Sequence, residues 1–207
     1  YRDLDGARTR YYRSQRLAAF YVDLKRAPAR VVADAASLPN VRAVRGRVYF
    51  GVLVDLPDLD EPISGTAISM PVEPVPVIND VLMRSGTWFS HEDAGEVILN
   101  DSFADANGLL PGNRIKVMLL DKQHDLLVVG TAQSPEFVYL MPADGGIAPD
   151  PARFGVMYMP ERFLQEACDL DGAYNQLIGQ VYDNSNTAVD NTLTLIEDRL
   201  DAYGVTN

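Results

Sequence analysis

The sequence predicts a mixed α/β protein: a split α/β sandwich lobe carrying a small β-rich lobe in its middle. Three observations predict it. Strand-like and helix-like apolar periodicities alternate along the chain. A proline-rich stretch at 71–80 and a Gly/Pro-rich stretch at 144–151 bracket a middle region with hairpin character. The β-α-β-β pattern before the first bracket is completed after the second by β-α-β-α.

Each element follows from local pattern. Leu17–Leu24 alternates as a strand, and Pro28 suits the first turn of a helix, where its missing N–H costs nothing. Val31, Ala35 and Leu38 continue that helix and Pro39 stops it. Val44, Val48, Phe50, Val52 and Val54 alternate with Arg45, Arg47, Tyr49, Gly51 and Leu53, which reads as one long strand. Ile63–Met70 is its return strand. Three prolines between Pro71 and Pro76 favour an extended connector.

In the middle, Glu96–Asn100 is a short strand and Ser102–Asn107 a short helix, with Gly108 placed for a left-handed cap. Pro111-Gly112 makes a turn. Arg114–Leu119 and Leu126–Thr131 form a hairpin around a polar loop, Asp121–Asp125. The Asp144–Pro151 loop closes the region. Beyond it, Phe154–Met159 is a strand, Pro160 opens a helix with Phe163, Leu164 and Ala167, and Tyr174–Tyr182 is another strand. Val189, Leu193, Ile196, Leu200 and Tyr203 recur at spacings of 4, 3, 4 and 3, an amphipathic helix ended by Gly204. The expected division is 1–80 with 149–207 for the outer lobe and 81–148 for the inserted one.

Composition excludes several classes. With 207 residues, 47% apolar and 23% charged, the chain can bury a core. A net charge of −11 argues against nucleic acid as a partner. No apolar run approaches the roughly 20 residues of a membrane-spanning helix. The charge is uneven: residues 1–47 hold eleven of the eighteen Lys and Arg and only four acids. That basic stretch is either a solvated helical face or a segment held near anionic lipid headgroups. The chain opens at Tyr1 with no initiator methionine and no signal-peptide pattern, and reads as a fragment or a processed chain.

Residues able to do chemistry are few. His91 and His124 lie in polar stretches without metal-ligand spacing, and read as solvated loop histidines. Ser134-Pro135-Glu136 lacks the elbow that exposes a hydrolase nucleophile. Asp55, Asp58, Asp60 and Glu61 lack calcium-loop spacing. Gly145-Gly146 has no phosphate-binding lysine nearby. Cys168, the single cysteine, reads as a small buried apolar residue. No catalytic residue, cofactor or metal is expected. Trp88-Phe89 is the candidate partner interface, its other reading being a core anchor for the inserted lobe.

Six stretches in order carry a resemblance: LKRAP (Leu24–Pro28), SGTWF (Ser85–Phe89), EVILNDSFADANGLLPGNRIKV (Glu96–Val117), LLVVGTAQSPEFVYLM (Leu126–Met141), PDPARFGVMYM (Pro149–Met159) and DGAYNQL (Asp171–Leu177). Together they resemble the extracytoplasmic domain of ABC transporter permeases of the MacB/FtsX-like type. Asn113 departs from the Asp common there. The resemblance implies a porter-like lobe with a smaller lobe inserted, strung between the first two membrane helices of an inner-membrane permease, on the periplasmic side. It implies a non-catalytic domain that couples ATP hydrolysis by a cytoplasmic ABC ATPase subunit to movement of a substrate or partner outside the membrane. It also implies a periplasmic adaptor or substrate protein as partner. The alternative is a stand-alone periplasmic module that binds a ligand or protein.

Overall fold

The alternating run through Val48 is two strands, and the chain changes sheets between them. The computed structural model describes residues 16–56, 61–137 and 150–206, in two units. The first holds residues up to Val48, Pro76–Asp80 and residues from Leu170 on; the second holds Tyr49–Val75 and Val81–Asp169. The division thus falls elsewhere than the sequence expectation put it. The strands within 49–75 and 150–169 join the same sheet as the inserted strands, so these residues belong to the second unit. The opening stretch Tyr1–Gln15, Asp58, Asp60 and Gly145-Gly146 lie outside the described residues.

The first unit is a two-layer sandwich. β1 (Phe20–Pro28) leads through α1 (Arg30–Ala36) to β2 (Val41–Arg47). These two strands do not touch: β10 (Ala173–Val181) lies between them, antiparallel to both. This is a split β-α-β unit. Phe20, Val22 and Leu24 point into the core, while Tyr21 and Asp23 point out, as the two-residue strand period requires. β1 starts three residues later than the sequence suggests, and Pro28 closes the strand; Ala29 caps α1 instead. α4 (Asn186–Leu200) buries Thr192, Ile196 and Leu200 at four-residue spacing. It closes the core with Val31 and Ala35 of α1 and Leu177 of β10. The chain then turns at Gly204, whose φ of 68° is the left-handed cap expected of it.

The second unit is a closed sheet. In chain order its strands are β3 (Tyr49–Asp55), β4 (Ile63–Met70), β5 (Leu82–Gly86), β6 (Glu96–Asn100), β7 (Arg114–Leu119), β8 (Lys122–Gln133) and β9 (Phe154–Pro160). They are ordered β5-β8-β6-β9-β4-β3-β7, and β7 pairs again with β8. Six strands therefore form a ring, with β5 added outside it. β4 and β9, parallel neighbours, are buried over nearly their whole length; β9 reads as a nearly continuous apolar run, while β4 mixes in Ser64, Gly65, Thr66 and Ser69. α2 (Asp101–Ala106) is capped by Asn100, whose side chain accepts from the N–H groups of Ser102 and Phe103. It plants Phe103 over Gly155, and α3 (Glu161–Ala167) follows β9. The loop expected at Asp121–Asp125 is strand from Lys122 on: β7 and β8 meet at a tight turn over Leu120 and Asp121, where Leu120 is left-handed, φ 51°. β5 was not expected from sequence.

Two glycines of the three-stranded sheet are roofed by aromatics. The Phe20 ring fills the place where a Cβ on Gly179 would stand, and Tyr174 does the same over Gly46. Gly179→Ala should therefore displace Phe20 and lower stability by about 1–3 kcal/mol. Denaturant unfolding checks this; Gly51→Ala, where a Cβ meets open space, is the control.

Candidate functional site

Of the expected pair, only Trp88 has surface to offer. Phe89 is 7% exposed and packs into the second unit, its ring 5.1 Å from that of Trp88. The half-buried Trp88 donates from Nε1 to the Pro71 carbonyl at 3.1 Å. The turn beyond them is fixed by Glu96, whose carboxylate accepts from the Ser90 amide (2.7 Å) and hydroxyl (2.6 Å).

The other singled-out residues scatter. His91 is exposed on a loop. His124, expected in solvent, lies on β8 opposite Val117, its ring edge-on to Phe163 at 5.6 Å. Its Nε2 is buried without a hydrogen-bond partner among the described residues. Burial, then the charge of Lys122, lowers its pKa. Cys168 is buried, and its thiol is pushed up to about 12, by burial first and by the Asp169 carboxylate second. It stays protonated at neutral pH and is a poor nucleophile. Ser134 is buried and accepts from the Glu136 amide in a turn. Asp55 and Glu61 are exposed. Among the described residues, no three His, Cys, Asp or Glu side chains gather where they could hold a metal ion.

Two arrangements emerge that sequence reasoning missed. The first is a polar row across the outer face of the three-stranded sheet. Asp23, Gln176 and Arg47 are direct neighbours on β1, β10 and β2. Arg47, 1% exposed, donates from Nε to Gln176 Oε1 at 2.6 Å, and Gln176 Nε2 donates to Asp23 Oδ1 at 2.5 Å. The glutamine amide thus links a buried cation to an exposed carboxylate. The guanidinium also lies 5.8 Å from the centre of the Tyr21 ring. The signal was present as Arg45 and Arg47 inside an apolar strand: a buried arginine demands partners.

The second is an open groove of about 500 Å³ on the second unit, between β3, β4 and β7. Leu53 and Met118 face one another across β3 and β7, and Leu120 and Phe154 extend the apolar lining. Leu53 is 48% exposed and Leu120 47%. Leu53 and Met118 fall on the outward side of alternating strands, where polar residues are the rule.

Gln176→Leu keeps the volume but leaves Arg47 without its 2.6 Å bond, and should cost about 1–3 kcal/mol by denaturant unfolding. His124 gives a pH signature. Its folded pKa lies below the ordinary 6.5, so the unfolded chain takes up the proton more readily. Stability is full above that ordinary value and falls as pH drops below it. His124→Gln should lose less stability than the parent chain on acidification from pH 7 through that window, as thermal melts across pH would show.

No family model matches the chain, and no curated protein does. Among solved structures it is similar to the extracellular domain of YknZ, a noncanonic ABC-type transporter from Gram-positive bacteria. Identity is 14%, the match covers 91% of this chain and 100% of that one, and the TM-score is 0.53. It is similar, too, to the periplasmic region of MacB from Actinobacillus actinomycetemcomitans, at 10% identity over 86% of this chain and 77% of that one, TM-score 0.50. With its split sandwich and closed second unit, the chain has the fold of the extracytoplasmic domains of ABC-type transporter permeases.

Proposed function

We propose that the chain is the extracytoplasmic domain of a MacB/FtsX-like ABC transporter permease, held outside the inner membrane. In this reading it is no enzyme. A cytoplasmic ATPase subunit hydrolyses ATP, the membrane helices pass the motion outward, and the domain grips or releases a substrate or an adaptor protein. The apolar groove lined by Leu53, Met118 and Leu120 and the half-buried Trp88 are the surfaces such a partner would use.

One observation carries the reading beyond fold likeness. Val205 bridges Leu24 in antiparallel sense, and the Thr206 amide donates to the Asp23 carbonyl at 2.9 Å. The chain at 204–206 therefore runs back along β1 toward its first residue. From Arg16 to Asp23 is seven residues, at most about 25 Å of extended chain. Residues 204–206 and the described chain ahead of β1 thus both lead toward the start of β1, as two neighbouring membrane segments would require.

The test uses the full-length protein in its own cells. Ser102 is exposed, so a cysteine placed there with Ser102→Cys reacts readily, whereas the buried Cys168 does not compete. The expected result is recovery with the membrane, labelling of that cysteine by an impermeant maleimide in intact cells, and co-purification of an ATP-binding-cassette subunit. Soluble recovery with no such subunit would overturn the reading in favour of a free periplasmic binding module.

A further inference from the structure

The connector at 71–80 is pinned at both ends. At its start, Pro71 is held by the Trp88 indole. At its end, Asn79 is 2% exposed and ties into the segment that enters β1. Its amide donates to the Arg16 carbonyl at 3.1 Å, its Oδ1 accepts from the Ala18 amide at 2.7 Å, and its Nδ2 donates to the Tyr21 hydroxyl at 2.9 Å. Arg16 answers with a bond to the Pro76 carbonyl, and Arg45 reaches that of Ile78, both at 3.1 Å. Arg16 and Asn79 are both left-handed, φ 52° and 54°. Residues with a side chain hold that conformation only when their surroundings fix it.

Between the pins the chain is exposed from Glu73 to Pro76, yet it is stiff. Prolines at 71, 74 and 76 lock φ, and the Val75 amide donates to the Glu73 carbonyl at 2.7 Å in a tight turn across Pro74, which leaves few free torsions. Pro76–Asp80 belongs to the first unit, while the residues before and after it belong to the second.

We propose that residues 71–80 are a strap that couples the 16–21 segment to the second unit, with Asn79 and Trp88 as its two pins. A displacement of residues 16–21 moves Asn79, and the proline-stiffened stretch carries that movement to Pro71 and Trp88. The inference rests on the proposed function only for the origin of the displacement, a membrane segment ahead of residue 16.

Trp88 is the only tryptophan, so its fluorescence reports on the far pin directly. In the 207-residue chain, Asn79→Ala removes two side-chain hydrogen bonds. Tyr21→Phe removes one hydroxyl from a side chain that is 40% exposed, and spares the core. Either variant should raise hydrogen exchange at the Ala18 amide, about tenfold for Asn79→Ala and several-fold for Tyr21→Phe. In both, acrylamide quenching of Trp88 should rise, by roughly twofold for Asn79→Ala. Coupling is reciprocal, so Trp88→Phe, which lacks the N–H, should raise exchange at Ala18 in turn. Faster exchange at Ala18 with unchanged Trp88 quenching would overturn the strap, as would unchanged exchange at Ala18 in Trp88→Phe. These readouts need neither membrane nor ATPase, so failure here leaves the permease reading standing. Failure of the membrane and co-purification test likewise leaves the strap standing.

Discussion

The second unit depends on one strand being long enough to serve three partners. β8 spans twelve residues. Leu127 back to Lys122 pairs with β7, while Leu127 through Gln133 pairs with β6 and β5. To do both, the strand has to turn a corner. It does so at a bulge, where Val97 and Ile98 stand opposite Val128 and Gly130 and leave Val129 unpaired. A bulge bends its strand and increases the twist. Gly130 permits it: a Cβ there would stand 2.8 Å from the Ser85 carbonyl and against the end of Met83. Closing the ring removes the exposed strand edges that an open sheet would leave. β5, outside the ring, carries its own bulge and the charge of Arg84, which guard the remaining edge.

The two units solve the problem of a small core differently. The ring buries apolar side chains on its inside and sets α2 and α3 against its strands. The three-stranded sheet has helices on one face only, and on the other it lays a polar row. Arg47 is as buried as any leucine of the core, so its charge has to be answered within the protein. Gln176 answers it by handing the interaction on to Asp23, which solvent reaches. The arrangement keeps the sheet from being simply a second greasy surface. It also fixes the side chain of Tyr21, and through that hydroxyl the end of the proline-rich connector.

Much of this was legible where a signal is local. The runs at Glu96–Asn100 and Phe154–Met159 are apolar and bounded by turn residues, and both are strands within a residue of their expected ends. Gly108, Gly112 and Gly204 all have positive φ, a backbone conformation that residues with a Cβ adopt only with strain. The failures are equally physical. Alternation through Val44–Val54 announces extended chain but not which sheet it joins, and Val48 hides the change by being buried throughout. Leu82–Gly86 has no period to detect; its backbone bonds to β8 make it a strand. Lys122–Asp125 is polar because it lines the rim, and Leu120 is an improbable residue for the left-handed turn it makes. The Asn79 clasp joins residues some sixty positions apart, which no periodicity reveals.

The central place of β10 sets a timetable for synthesis. β1 and β2 flank it and do not pair with each other, so no part of the three-stranded sheet can form until residues 173–181 exist. All of the second unit's strands have been made by then. At roughly 5–20 residues per second, the chain after β2 takes on the order of ten seconds to reach the end of β10. For that interval Phe20, Val22, Leu24 and Val41 have no sheet to join, while the strands of the closed ring are already complete. β1 and β2, made before any strand of the ring, are thus among the last to find their place, and they are what a chaperone or an early-folded neighbour has most time to hold.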